Sequence, residues 1–200
     1  MQNIEYLEIL KEFARSNNVP IVRDITANRL VTELKKHNPK KILEIGTAIG
    51  YSALLMKSVV SDAKITTIEK DEDRYNQAID NIAKSNVCNI RCILGDAFEV
   101  LDDLIANKEK FDFVFLDGPK GFYYRYLQKI KELINNGACI FADNVGFFGM
   151  VKSGIYPHRH KTIVVSLTNY LKEVSEPPFQ SEIDLETDDG FAISTFECQK

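Results

Sequence analysis

Between residues 41 and 142 the chain repeats one alternation, a short apolar run followed by a longer amphipathic stretch. The apolar runs fall at 41–45, 64–68, 90–94, 111–116 and 138–142, and the amphipathic stretches near 50–60, 72–86, 97–107 and 122–135. Strands buried on both faces read as nearly unbroken apolar runs, and parallel neighbours need crossover helices, so this pattern predicts an α/β fold with a mostly parallel sheet. The last quarter departs from it. A helix over 161–174 precedes two β-like runs, 179–185 and 190–196, joined through 187–190, whose Asp189-Gly190 step favours a hairpin. Two helices come first. Ile4, Leu7, Ile9, Leu10 and Phe13 predict one, and Ala27, Leu30, Val31 and Leu34 a second that begins near Thr26 and stops before Asn38-Pro39. The expected architecture is a single domain, with N-terminal helices over 1–38 and a core over 39–200. Its seven-stranded sheet ends in an antiparallel hairpin, with helices on both faces.

A chain of 200 residues that is 44% hydrophobic and 27% charged can build a full core, which excludes a disordered chain. With 25 Lys and Arg against 29 Asp and Glu the net charge is −4, not that of a polycation. No apolar stretch approaches the roughly 20 residues of a membrane span, and the first residues alternate charge with Leu and Ile where a signal peptide carries an apolar core. A cytoplasmic, non-membrane protein is expected. Cys88, Cys92, Cys139 and Cys198 match neither zinc nor disulfide spacing and are expected as reduced thiols; His158 and His160 read as a solvated loop pair.

The first run ends at Gly46, and a helix begins near Gly50, as a ligand approaching backbone amides requires. The dinucleotide spacing is absent, and Tyr51 stands where a phosphate loop carries Lys, so a ligand without a pyrophosphate is expected. Ser52 can offer it a hydroxyl. Glu69 ends the second run, 23 residues after Gly46, where an acid accepts both ribose hydroxyls. Asp96 follows the third run and either contacts an adenine amino group or caps the next helix.

The fourth and fifth runs end in Asp117 and in Asp143-Asn144. If those strands are neighbours, their ends lie roughly 5 Å apart, and three oxygen donors converge on a hard cation: Mg²⁺, Mn²⁺ or Ca²⁺. Lys120, three residues past Asp117, adds a group able to act as base or oxyanion stabiliser, or else a solvated surface lysine. Such a centre would leave open positions for water and substrate oxygens.

The motifs L-E-I-G-T-x-x-G-Y-S-A, D-x-x-K-x-x-Y and the D-N pair, in order from Val19 to Phe196, resemble the cation-dependent, catechol O-methyltransferase-like branch of the class I S-adenosylmethionine methyltransferases. The resemblance implies a Rossmann-like fold and S-adenosylmethionine as cofactor. It implies that Val22, Glu44, Gly46 and Ser52 border the cofactor, that Glu69 holds the ribose, and that Asp96 and Ala97 border the adenine. It further implies Asp117, Asp143 and Asn144 as metal ligands, with Asp117 also touching the cofactor and acting with Lys120 in catalysis, and Tyr123 as a substrate-side residue.

Val19-Pro20-Ile21-Val22, taken with the glycine-loop motif, is most similar to bacterial tRNA 5-hydroxyuridine methyltransferases, although Val22 and Arg23-Asp24 depart from their pattern. The favoured expectation is therefore methylation of wobble 5-hydroxyuridine to 5-methoxyuridine, the alternative a catechol-like or enolic small molecule. Residues 118–172 carry eight Lys or Arg against two acids, whereas 173–199 carry eight acids and no Lys or Arg. Lys152, Arg159 and Lys161 are accordingly candidate tRNA contacts, or else a solvated loop that balances the acidic terminus. A homodimer is expected.

Overall fold

The computed structural model describes residues 2–197, with side chains from Glu5 onward; the Ile4 side chain and Cys198 lie outside the described residues. The chain forms two compact units that meet in sequence at Val100 and Leu101.

The first unit opens with α1 (Gln2–Ser16) and α2 (Asp24–His37). Leu7, Leu10 and Ala14 form the buried stripe of α1, while Ile9 and Phe13, expected on it, are exposed. Asn38, in the left-handed region at φ 43°, ends α2 by donating its N–H to the Leu34 carbonyl, and Pro39 cannot continue the helix. There follow β1 (Lys41–Ile45), α3 (Tyr51–Val59), β2 (Lys64–Glu69), α4 (Glu72–Lys84), β3 (Ile90–Leu94) and the start of α5 (Ala97–Ala106). β1 pairs parallel with β2 through Ile45 and Ile68, and β2 with β3 through Glu69 and Leu94. α4 begins at Asp71, whose carboxylate accepts the Arg74 N–H at 2.9 Å.

The second unit holds β4 (Phe111–Leu116), a 3₁₀ turn (Lys120–Phe122), α6 (Tyr123–Leu133), β5 (Ile134–Asp143), α7 (Met150–Ser153), a second 3₁₀ turn (His158–His160), α8 (Lys161–Val174), β6 (Phe179–Asp184) and β7 (Phe191–Phe196). β4 and β5 are parallel, with Leu116 opposite Ala142; β5 pairs antiparallel with β7, and β7 with β6. The strand order β3-β2-β1-β4-β5-β7-β6 is that of a mixed seven-stranded sheet. Buried positions of α6 recur at helical spacing, Tyr123, Tyr126, Leu127, Ile130 and Leu133, and α6 lies beside α8, with the Tyr124 N–H on the Ser166 hydroxyl at 3.3 Å.

β5 is longer than the expected 138–142. Its partner switches from Phe111 opposite Ile134 to Phe113 opposite Cys139, and the extra residues, with Gly137 at φ 82°, bulge out of the ladder. Asn135-Asn136-Gly137 reads as a turn in the sequence, which hides the pairing of Ile134. α7 and both 3₁₀ turns are too short to leave a periodic signal.

The Asp189-Gly190 hairpin forms as expected, with the Gly190 N–H on the Thr187 carbonyl at 2.8 Å. It also receives the loop that follows β5: Gly146 donates to the Asp189 carbonyl at 2.7 Å and Val145 to that of Gly190 at 3.1 Å. Among the described residues no helix is long and apolar enough to cross a membrane. Cys88, Cys92 and Cys139 are free thiols.

Gly190 sits at φ 79°, and a Cβ there would lie 2.9 Å from both the Asp184 carbonyl and the Gly146 nitrogen. Gly190→Ala should therefore cost about 1–3 kcal/mol of stability, read as a lower urea midpoint at unchanged slope.

Candidate functional site

In the first unit the glycine loop is held from below by hydroxyls. Glu44, fully buried on β1, accepts the Thr67 hydroxyl at 2.5 Å, and Thr67 shares a 2.5 Å hydrogen bond with Thr47. The Cys92 thiol reaches Thr47 at 3.9 Å, and burial, foremost, pushes that thiol up to about 11. Gly46 at φ 105°, Ala48 at 47° and Gly50 at 85° turn the loop sharply. A Cβ on Gly50 would meet Ala78 only at 3.5 Å, so conformation, not space, favours glycine there. No side chain caps α3, and Ser52 is buried in its first turn.

Glu69 ties the loop to the end of β2. One carboxylate oxygen accepts the Ala48 N–H at 2.8 Å, and the other accepts those of Lys70 and Asp71 at 2.8 and 2.9 Å. A carboxylate offers about four lone-pair sites. Capacity therefore remains on the oxygen facing Ala48, which fits a ribose hydroxyl. Asp96 does both things its position suggested: one oxygen caps α5 through the Phe98 N–H at 2.9 Å, and the other meets Lys70 Nζ at 2.8 Å. Those two interactions, Lys70 first, hold its carboxyl below the usual range.

Of the other expected cofactor residues, Glu44 is 0% exposed and bonds Thr67, which in turn bonds Thr47, and Val22 is 4% exposed. Gly46, Ser52, Glu69, Asp96 and Ala97 stand around the carboxyl ends of β1, β2 and β3, as expected. Thr47, Thr67 and Lys70 escaped the sequence reading. The one available signal was Thr66-Thr67 inside an otherwise apolar strand.

In the second unit the β4/β5 register sets Asp117 and Asp143 side by side, each one residue past the Leu116–Ala142 pair. Asp143 is 2% exposed, and its carboxylate accepts the Asn144 N–H at 2.7 Å; Asn144 sits at φ 56°. Lys120 Nζ lies 2.7 Å from Asp117 Oδ1. The Tyr123 hydroxyl lies 2.9 Å from the Leu116 carbonyl and 3.0 Å from the Asp143 carbonyl, bridging the two strand ends. Burial, then the charges of Asp117 and Asp143, push this phenol well above its ordinary value, so it stays a donor.

Tyr123 is fully buried, which corrects its assignment as a substrate-side or RNA contact: it positions the acids. Two adjacent carboxylates and an amide oxygen, in a field negative enough to act on Tyr123, suit a hard divalent cation. Among the described residues no group of three His, Cys, Asp or Glu side chains forms a metal site, so the expected set depends on Asn144 as its third donor.

Part of the basic surface is paired with acids within the unit. Lys129 pairs with Asp102, Lys131 with Glu173 and Lys152 with Glu186, while Arg159 Nε donates to His160. Lys161 is exposed at the start of α8.

A family model described as O-methyltransferase matches residues 2–194. The caffeoyl-CoA O-methyltransferase of Stellaria longipes is 33% identical over 154 residues, 74% of this chain and 64% of that protein, so the chain spans just under two thirds of that relative. The flavonoid 3',5'-methyltransferase of Vitis vinifera is 35% identical over 139 residues, 67% of this chain and 58% of that protein. A solved Staphylococcus aureus structure, described as a candidate caffeoyl-CoA O-methyltransferase, superposes with a TM-score of 0.85 at 31% identity, over 95% of this chain and 91% of that one. An O-methyltransferase of Bacillus cereus, solved with SAH, shares the fold at a TM-score of 0.86 and 24% identity, over 96% and 91%.

Tyr123→Phe leaves two buried carbonyls without their hydroxyl partner and should cost about 1–3 kcal/mol in denaturant unfolding. Because its folded carboxyl titrates below the ordinary 3.8, Asp96 contributes stability in full above that pH and loses it as pH falls through the depressed value. Lys70→Met should move the Asp96 titration upward in carbon-13 NMR.

Proposed function

The chain belongs to the O-methyltransferase family, with its α/β Rossmann-like fold, and on that premise we propose that it transfers the methyl group of S-adenosylmethionine to a hydroxyl of a small molecule with two vicinal oxygens, catechol-like or enolic. The observation that carries the proposal is the arrangement of Asp117, Asp143 and Lys120, locked by Tyr123, at the ends of β4 and β5. A hard cation held by two adjacent carboxylates would suit an acceptor whose own oxygens are adjacent, and a caffeoyl group, named in relatives of this chain, has two neighbouring ring hydroxyls.

The tRNA expectation gives way to this alternative. Neither the family match nor the similar proteins support an RNA substrate, and Lys152, one of its three proposed contacts, is committed to Glu186. The positive excess over 118–172 fits the other reading, a surface that balances the acidic terminus, since Glu173 and Glu186 pair with Lys131 and Lys152.

In the proposed reaction Glu69 holds the ribose of the donor, and Asp96 and Ala97 border the base. The acceptor hydroxyl gives up its proton to solvent, and its oxygen attacks the sulfonium methyl carbon in line; the carbon–sulfur bond breaks, and its electron pair leaves on a neutral thioether. Lys120, anchored by one N–H to Asp117, has two more to stabilise the acceptor's oxyanion. Bound by Asp117, Asp143 and Asn144, a Mg²⁺-type ion would supply Lewis acidity that lowers the pKa of the acceptor hydroxyl. Tyr123 keeps the two acids at fixed spacing.

Tritiated S-adenosylmethionine offered with a catechol panel and with tRNA containing 5-hydroxyuridine should label the catechols, and label confined to the tRNA would refute the proposal. Lys120→Met should lower kcat roughly a hundredfold or more while S-adenosylhomocysteine affinity, measured by calorimetry, stays unchanged. A chelator should arrest transfer, and added Mg²⁺ restore it.

A further inference from the structure

Glu69 and the buried hydroxyls fix the glycine loop as far as Ala48, and a different group fixes its end. Asn81 of α4 donates its side-chain amide to the Ile49 carbonyl at 2.9 Å, and the N–H of the same peptide, that of Gly50, donates to the Thr47 carbonyl at 2.9 Å. The Ile49–Gly50 peptide is therefore gripped on both edges. Ala78, three residues earlier on the same face of α4, is fully buried, and its Cβ lies 3.5 Å from where a Gly50 Cβ would stand. One helix face thus meets the junction between the loop and α3, whose first turn has no side-chain cap.

The Asn81 amide can serve there in one orientation only. A carbonyl accepts and never donates, so the nitrogen must face Ile49, and the oxygen is left for α1, where the Tyr6 hydroxyl donates to it at 3.1 Å. Burial, then the charge of Asp80, push the Tyr6 phenol above its ordinary value, so it remains a donor. Close packing does not supply this orientation. Tyr6 and Asn81 are half-buried and line a cleft of about 390 Å³ together with Ile9 and Phe13 of α1 and Gln77 and Lys84 of α4. The two hydrogen bonds decide how the side chain stands.

We propose that Asn81 is a positioning residue for the methyl donor, and that Tyr6 makes its grip depend on α1. Asn81 acts through the backbone, by holding the peptide from which the uncapped first turn of α3 starts. A loop fixed before its ligand arrives loses less binding free energy to ordering, so loosening this peptide weakens the donor without removing a contact to it. This rests on the reading that S-adenosylmethionine lies along the glycine loop, and it adds a route by which the first helix tightens that site.

Calorimetric titration of the full chain with S-adenosylhomocysteine tests it, in the parent, Asn81→Leu, Tyr6→Phe and the double variant. Leucine keeps the volume of asparagine and removes both hydrogen bonds; Tyr6→Phe deletes a single oxygen. Asn81→Leu should weaken binding roughly five- to tenfold and Tyr6→Phe roughly twofold. In the double variant the loss should equal that of Asn81→Leu alone, because Tyr6 acts only through Asn81. Amide exchange at Gly50, read by nitrogen-15 NMR without ligand, should quicken in Asn81→Leu while that of β1 and β2 stays as in the parent. A urea midpoint that falls while affinity and Gly50 exchange keep their parent values marks a merely structural residue and overturns the proposal. Losses that add in the double variant overturn the dependence on Tyr6. A parent that does not bind S-adenosylhomocysteine refutes the donor reading itself, and the positioning role falls with it.

Discussion

Two carboxylates at the ends of adjacent parallel strands repel each other, and burial sharpens that repulsion, so Asp117 and Asp143 stay together only because other groups fix and offset them. Tyr123 supplies the fixing. Its hydroxyl spans the Leu116 and Asp143 carbonyls, and its ring is wedged edge-on against Tyr170 of α8 at 5.8 Å. Lys120 supplies part of the offset through Asp117, with its ammonium 5.6 Å from the centre of the Tyr123 ring. The packing of α6 on α8 is thereby linked to the spacing of the acids.

The loop after β5 bears a second constraint. Asn144, Phe147, Phe148 and Gly149 all take positive φ, a strained run that the hairpin holds by accepting the Val145 and Gly146 amides and, on Asp189 Oδ1, that of Phe148. The antiparallel end of the sheet thus does more than cover β5. It restrains the segment that presents Asn144, and the close approach of Gly146 to Gly190 leaves no room for a side chain at either position. In the first unit Glu69 has the comparable task, joining the turn at Ala48 to the start of the α4 approach.

The strands were legible because burial on both faces leaves an apolar run that needs no knowledge of partners, as β4 shows with Phe113–Leu116 wholly buried. The acids that end them were legible for the same reason, since Glu69, Asp117 and Asp143 break such runs abruptly. What those acids bond to was not. Ala48 on Glu69 and the Leu116 and Asp143 carbonyls on Tyr123 are contacts across 21, 7 and 20 residues, set by loop geometry that composition does not encode. For the basic stretch the sequence offered both a tRNA contact and a balance with the acidic terminus, and the pairs of Lys131 with Glu173 and Lys152 with Glu186, 42 and 34 residues apart, favour the second. Periodicity placed Ile9 and Phe13 inward, but α1 buries the neighbouring stripe of Leu7, Leu10 and Ala14.

The proposed reaction turns on a divalent ion that Asp117, Asp143 and Asn144 would hold and that would engage the acceptor's oxygens. Electron paramagnetic resonance of Mn²⁺ added to the protein with S-adenosylhomocysteine and an oxygen-17-labelled catechol addresses it directly. One bound Mn²⁺ per chain is predicted, with lines broadened by the labelled oxygens and with binding lost in Asp143→Asn. Bound Mn²⁺ that ignores the oxygen label, or that survives Asp143→Asn and Asn144→Ala together, would contradict it.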